Sequence, residues 1–153
     1  MEIRAGEAAD LPALLALEQA SFPGDRLDRR RLRRFLAGGP TVRLLAAGRP
    51  AVGYSLLLLR RGSRVARLYS LAVAPSHRGH GVAHKLLIGI EHAARAAGCS
   101  EIRLEVRPDN VSAIAFYARQ GYLRFGSYPN FYEDGADAHR MRKDLSLTPP
   151  AGA

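Results

Sequence analysis

Leu68-Tyr69-Ser70-Leu71-Ala72-Val73-Ala74-Pro75-Ser76-His77-Arg78-Gly79-His80-Gly81-Val82-Ala83-His84-Lys85-Leu86-Leu87 runs from an apolar strand through a glycine loop into an amphipathic helix. Strand, tight loop and helix start aim consecutive backbone N–H groups, and the positive end of the helix dipole, at one anionic ligand without requiring a metal. The stretch therefore predicts a phosphate cradle. Two common kinds of cradle are excluded by the residues themselves. No Gly-Lys-Ser/Thr follows, which removes nucleotide-hydrolysing loops, and the three spaced glycines with a later acidic residue of a dinucleotide fingerprint are missing.

Upstream, Ile3 and Arg4 suit a short strand, and Asp10 is placed to cap a helix with Pro12 in its first turn and Leu11, Leu14, Leu15 and Leu17 on its core side. That helix is expected to end near Phe22-Pro23-Gly24, and a second, from about Leu27 to Ala37, at Gly38-Gly39-Pro40. Three apolar segments follow, Thr41 to Ala47, Ala51 to Arg60 and Val65 to Val73, separated by connections of hairpin length. They predict an antiparallel meander.

Downstream, a helix over Val82 to Ala97 stops at Gly98 before a strand at Glu101 to Val106, a unit expected to be parallel and right-handed. Alternation in that strand puts Ile102, Leu104 and Val106 on the core face and Arg103, Glu105 and Arg107 on the other. A short helix from Ser112 to Gln120 and strands at Tyr122 to Ser127 and Ala138 to Leu145 complete one domain, residues 1–147, with a frayed tail from Thr148 to Ala153.

The chain has 153 residues, 47% of them hydrophobic, enough for one buried core. No apolar run approaches the roughly 20 residues of a membrane span, and the first residues lack the basic and then apolar character of a secretory signal. The expectation is a chain neither exported nor anchored. Cys99 is the single cysteine, which rules out an internal disulfide, fits a reducing cytoplasm and predicts a small buried packing residue. The net charge of +9 raises nucleic acid as a partner, but the arginines are scattered along the chain rather than gathered in a tail, which argues against it. The exception is Arg29-Arg30-Arg31 with Arg33 and Arg34, read as a solvated helix face or a docking surface for an acidic partner. His77, His80 and His84 crowd the loop without the His-Glu-x-x-His pattern or an intervening carboxylate, so no metal site is expected.

Within the loop, Arg78, Gly81 and Ala83 form Arg-x-x-Gly-x-Ala, small residues that let phosphate oxygens approach the backbone beside a charged donor. The later run Leu104-Glu105-Val106-Arg107-Pro108-Asp109-Asn110, with Phe116-Tyr117 and Gly121-Tyr122, resembles the second signature of the GNAT superfamily of acetyl-CoA-dependent N-acetyltransferases. The resemblance covers about Ile3 to Leu145. It implies an α/β fold of the α+β kind, a mixed, mostly antiparallel central sheet of six to seven strands flanked by about four helices. It also implies acetyl-CoA as co-substrate, with no metal. Carried over, the backbone of Leu71, Ala72 and Val73 meets the pantetheine arm and the thioester oxygen, while Arg78, Gly79, His80, Gly81, Val82 and Ala83 take the pyrophosphate. Asn110 contacts the cofactor arm and Tyr117 faces the sulfur.

The implied reaction is direct attack of a neutral amine on the thioester, with Tyr117 protonating the departing sulfur and Glu105 taking the amine's proton directly or through water. Apart from the resemblance, Tyr117 also reads as a core aromatic and Glu105 as a surface partner of Arg103 or Arg107. An α-amine with a pKa near 8 is about one-tenth neutral at pH 7, whereas a lysine side chain near 10.4 is neutral in well under one part in a thousand. Within the superfamily the chain is most similar to the RimI-like ribosomal-protein alanine N-acetyltransferases. Asn130-Phe131-Tyr132 before Gly135-Ala136-Asp137-Ala138 and Met141 carries that likeness, which implies Phe22, Glu105 and Tyr132 on the acceptor side. The chain departs from that group in Phe131, where a second tyrosine is frequent, and in Ser21-Phe22-Pro23-Gly24-Asp25, which lacks its usual tryptophan. The expected acceptor is a protein or peptide N-terminus, and the expected assembly a monomer or homodimer. A small-amine acetyltransferase, a non-catalytic acetyl-CoA sensor and a basic nucleic-acid binder are the alternatives.

Overall fold

A computed structural model describes residues 1–22, 24 and 26–146. Pro23 and Asp25 of the first helical loop, and the tail expected to fray, lie outside the described residues.

Among the described residues seven strands form one sheet: β1 (Ile3–Ala5), β2 (Val42–Ala47), β3 (Gly53–Leu58), β4 (Val65–Val73), β5 (Glu101–Val106), β6 (Leu123–Tyr128) and β7 (Ala138–Asp144), in the order β1-β2-β3-β4-β5-β7-β6. All pairings are antiparallel except β4 with β5. Among the same residues four α-helices accompany it: α1 (Leu11–Ser21), α2 (Arg29–Leu36), α3 (Val82–Ala96) and α4 (Val111–Arg119). This is the mixed sheet expected from the sequence, with element ends displaced by one or two residues. Among the described residues no helix is long and apolar enough to cross a membrane.

Each face of the sheet has its own core. On one, α3 and α4 cover Leu57, Ala66, Leu68, Ile102, Leu104, Val106 and Met141, and Cys99 is buried with them. Burial pushes the Cys99 thiol up, as an inert packing residue requires. On the other, Leu11, Leu14 and Leu17 of α1 and Leu32 of α2 pack on Leu44, Tyr54, Leu56 and Ala72. These two helices pack on β2 to β4.

The two helices are held by polar groups as well as by leucines. Glu18, almost fully buried on α1, accepts hydrogen bonds from the Tyr54 hydroxyl, from Ser70 Oγ at 3.3 Å and from the Leu27 N–H at 2.9 Å. Asp28 caps α2 by accepting from Arg31 N at 2.8 Å. Asp10 does not cap α1 with its side chain as expected. Its carboxylate is drawn back onto Arg4 in a two-pronged pair at 2.8 Å for both bonds, and it also accepts from Glu7 N at 2.7 Å. A buried arginine fork outcompetes a single helix-end N–H.

β4 is where the sheet divides. It pairs with β5 only over Val65–Arg67 against Glu101–Arg103, after which the two strands run on without pairing to each other. A register shift between Leu56 and Leu57 of β3 makes Tyr69 an extra residue in β4. Beyond it, Ser70 and Ala72 turn toward α1 while Leu71 and Val73 turn toward α3. The gap left between β4 and β5 positions everything that follows.

Candidate active site

The backbone of β4 presents alternate residues to the gap. Ala74 N donates to Val52 O at 2.7 Å, and antiparallel alternation from that pair makes Tyr54 and Ala72 the next bonded pair. Ala72 therefore spends its N–H and C=O on β3, and the backbone groups of Leu71 and Val73 point into the gap. Of the three residues expected to meet a cofactor arm, two are so disposed.

At the end of β4 the chain makes a 3-10 turn, Pro75–His77, and reaches α3 through Gly79 and Gly81, both left-handed with φ of 80° and 79°. An added Cβ at either would meet nothing within 4 Å, so the glycines serve backbone conformation, and the space in front of them is open. Among the described residues, the N–H groups of Gly79, His80, Gly81, Val82, Ala83 and His84 donate to no protein acceptor. Six consecutive free donors at a helix start are what a phosphate cradle requires. Arg78 sits at its rim, its Nε donating to Val73 O at 3.2 Å. The neighbouring histidines are not gathered: His77 Nδ1 lies 2.9 Å from Ser76 Oγ, and His84 Nδ1 lies 2.9 Å from Gln120 Oε1.

Tyr117 lies on the α3 and α4 face, packed against the same core as Leu71 of β4. Its half-buried ring meets Phe116 edge-on at 5.3 Å and Tyr122 edge-on at 5.5 Å. Burial raises its phenol above the ordinary value, and among the described residues its hydroxyl has no hydrogen-bond partner. Such a group holds its proton through the whole neutral range and has it free to give. Asn110, exposed at the end of β5, caps α4 by accepting from Ala113 N at 3.2 Å, and Ser112 Oγ donates to the same Oδ1 at 3.3 Å. Its oxygen is thus spent locally, leaving the amide nitrogen for any ligand.

Glu105 approaches from the opposite face, because it alternates with Leu104 and Val106. It pairs with Arg67 of β4, not with Arg103 or Arg107 as its sequence neighbours suggest. Those two are taken elsewhere: Arg103 by Glu101, and Arg107 by Asp134 at 2.8 Å, which holds the Asp134 carboxyl below its usual range. Arg107 also lies 4.2 Å from the centre of the Tyr132 ring. Tyr132 is fixed in a turn closed by Gly135 N donating to Tyr132 O at 2.9 Å. Phe22 packs on the α1 and α2 core, and its carbonyl accepts from Arg26 Nε at 2.6 Å. Glu105, Tyr132 and Phe22 thus share the side of the sheet away from α3.

Two groups on this side escaped the sequence reading. Arg67 is the cross-strand neighbour of Arg103, a relation legible only once the parallel register of β4 and β5 is known. Ser70 and Tyr54, which seat Glu18, converge from two strands and a helix, and no spacing in the chain announces that.

Comparison with known proteins identifies the family. The profile of the acetyltransferase (GNAT) family matches residues 11–122. The uncharacterized N-acetyltransferase MJ1530 of Methanocaldococcus jannaschii is 42% identical over 93 residues, covering 60% of this chain and 58% of that protein. The N-alpha-acetyltransferase RimI of Mycobacterium tuberculosis is 36% identical over 78 residues, 50% of this chain and 48% of that one. Across these and an uncharacterized Mycobacterium leprae protein, ML0378, the chain spans between 21% and 58% of its curated relatives' lengths. Among solved structures, Ard1 of Thermoplasma volcanium superposes with a TM-score of 0.83 at 26% identity, covering 94% of this chain and 96% of that one. The family profile spans most of the chain, from α1 through the glycine loop to Tyr122, and the protein belongs to the GNAT acetyltransferase family.

Proposed function

We propose that this protein transfers an acetyl group from acetyl-CoA to a primary amine by direct attack, the acceptor being the α-amine of a peptide or protein N-terminus. The observation that supports the reading is that Glu105 and Tyr117 lie on opposite faces of the sheet, Glu105 paired with Arg67 across the division of β4 and β5 and Tyr117 packed on the core that Leu71 of β4 joins. An acceptor and a thioester must meet from two sides, and each side has a proton-handling group.

The residues present suit the cofactor. Six free N–H groups and the open space before Gly79 and Gly81 match a pyrophosphate, and the gap-facing backbone of Leu71 and Val73 matches an extended amide-bearing arm. Bound there, acetyl-CoA supplies the activated acyl group. In the transfer, the amine nitrogen forms the new C–N bond as the C–S bond breaks. Glu105, directly or through water, removes the proton the nitrogen sheds, and Tyr117 gives a proton to the sulfur. An N–H from the β4 edge at Leu71 or Val73 steadies negative charge on the carbonyl oxygen. Named relatives that are N-alpha-acetyltransferases support an α-amine, as does the smaller deprotonation cost of such an amine. The lone, buried Cys99 suits a cytoplasmic enzyme, which we take to act as a monomer or homodimer.

The test is coenzyme A release, with mass spectrometry of the product, across peptides of varied N-terminal residue run beside polyamines and free amino acids. Acetylated peptide N-termini are the expected result. Turnover of polyamines alone would make this a small-amine enzyme, and binding of acetyl-CoA with no turnover of any amine would make it a sensor.

A further inference from the structure

On the side of the sheet that carries Glu105, β7 lies next to β5 in a register that sets Arg140 directly opposite Glu105. Directly opposite residues in an antiparallel pair stand about 4.5–5.5 Å apart at Cα, with side chains on the same face. Arg140 is half-buried and held by rings. Its guanidinium carbon lies 4.1 Å from the centre of Tyr128 and 4.5 Å from that of Phe125. Phe125 has this reach because the register shift between Arg124 and Gly126 makes it the extra residue of β6.

The acids nearby are already engaged. Glu105 pairs with Arg67, Glu101 with Arg103 and Arg142, and Asp134 with Arg107. Among the described residues Arg140 has no carboxylate and no hydrogen-bond acceptor, only the two aromatic faces. A guanidinium held against rings keeps its planar N–H edge fixed in direction, so little freedom is lost when that edge takes a carboxylate in two parallel bonds. An ammonium approaching Glu105 meets this unpaired cation as well, and is repelled unless it brings a negative charge of its own.

We propose that Arg140 is a carboxylate receptor on the acceptor side, selecting amines that carry a carboxylate within a few bonds of the reacting nitrogen, as a peptide with Asp or Glu at its first or second position does. The inference rests on the acetyl-transfer reading and adds the acceptor's chemical class. It also gives a use to Phe125 and Tyr128, which are exposed aromatics with no core to join.

The experiment measures kcat/KM on matched peptides that differ only in Glu, Gln or Lys at position one or two, with free glutamate and aspartate as a separate arm. The Glu peptide is expected to exceed the Gln peptide by about tenfold or more, and the Lys peptide to fall below both. Arg140→Gln should bring the Glu-to-Gln ratio close to one, Arg140→Lys should leave an intermediate ratio, and Arg140→Glu should invert the order in favour of Lys. Melting curves and acetyl-CoA calorimetry on each variant show that fold and cofactor site persist. A preference confined to the free amino acids would place the carboxylate on the α-carbon and overturn the peptide assignment. Equal rates on Glu and Gln peptides in the unaltered protein, or a preference surviving all three substitutions, overturns the carboxylate site while the acetyltransferase reading stands. Turnover of no amine overturns both.

Discussion

The Tyr122 hydroxyl donates to Glu91 Oε2 at 2.7 Å inside the core, and Lys143 Nζ closes on the same carboxylate at 3.0 Å. Tyr122 is also the ring against which Tyr117 rests edge-on. A buried charge network is thus one ring away from the proposed proton donor. Tyr122→Phe keeps the ring contact but removes a donor from the buried Glu91. Losing a hydrogen bond to such a group costs about 1–3 kcal/mol. For a chain of this size that corresponds to roughly 2–4 °C of melting temperature per kcal/mol. Thermal melting should show the loss, with acetyl-CoA affinity within about twofold of the original.

Gly81→Glu places a charged side chain at a left-handed position facing the six free N–H groups. The substitution strains the loop, and its carboxylate occupies the donors and repels the pyrophosphate they would hold. Calorimetry should detect no acetyl-CoA binding, while the melting temperature of the ligand-free protein falls by only a few degrees. Normal affinity would remove the loop from the cofactor site.

Tyr117→Phe removes only the hydroxyl, which has no hydrogen-bond partner among the described residues. Turnover should fall by about 10²–10⁴-fold, the usual contribution of a positioned acid, with little change in acetyl-CoA affinity. The pH profile makes a second check. Burial raises the Tyr117 phenol, so the acid form persists beyond the ordinary phenol value of about 10, and kcat should show no alkaline decline below that pH. A decline centred near pH 8 would assign the proton to another group.

The buried pair of Arg4 and Asp10 should govern acid stability. The Arg4 hydrogen bonds hold the Asp10 carboxyl below its usual range, so the unfolded chain binds this proton more readily than the folded one. The stabilisation is therefore complete above the unfolded value of about 3.9 and is lost as pH falls through the lower folded one. Asp10→Asn should cost about 3–5 kcal/mol, as expected when a buried arginine loses its partner, and should flatten the fall in melting temperature below pH 4.

Local pattern carried most of the fold. Alternation in Glu101–Val106, the glycines that end helices and the hairpin-length connections each follow from a few neighbouring residues, and the structure places the elements as they imply. Asp10 shows where local pattern fails. A residue well spaced for capping was claimed by Arg4, which a short strand brings alongside. Glu105 shows the same limit at the site. Its chain neighbours Arg103 and Arg107 are the obvious partners, but sheet pairing supplies Arg67 and leaves those two to Glu101 and Asp134. Arg140 was invisible for a related reason: its position beside Glu105 exists only through the register of β5 with β7.

The three-residue contact between β4 and β5 gives one sheet four borders instead of two. The outer pair, β1 and β6, are ordinary edges that a foreign strand could extend. The inner pair, beyond Arg67 and Arg103, look at each other, so a strand from another polypeptide would have to fit both at once. A slender chain with amide groups of its own meets no such demand. The same split that leaves backbone groups unpaired in the middle of the molecule also shields them from aggregation.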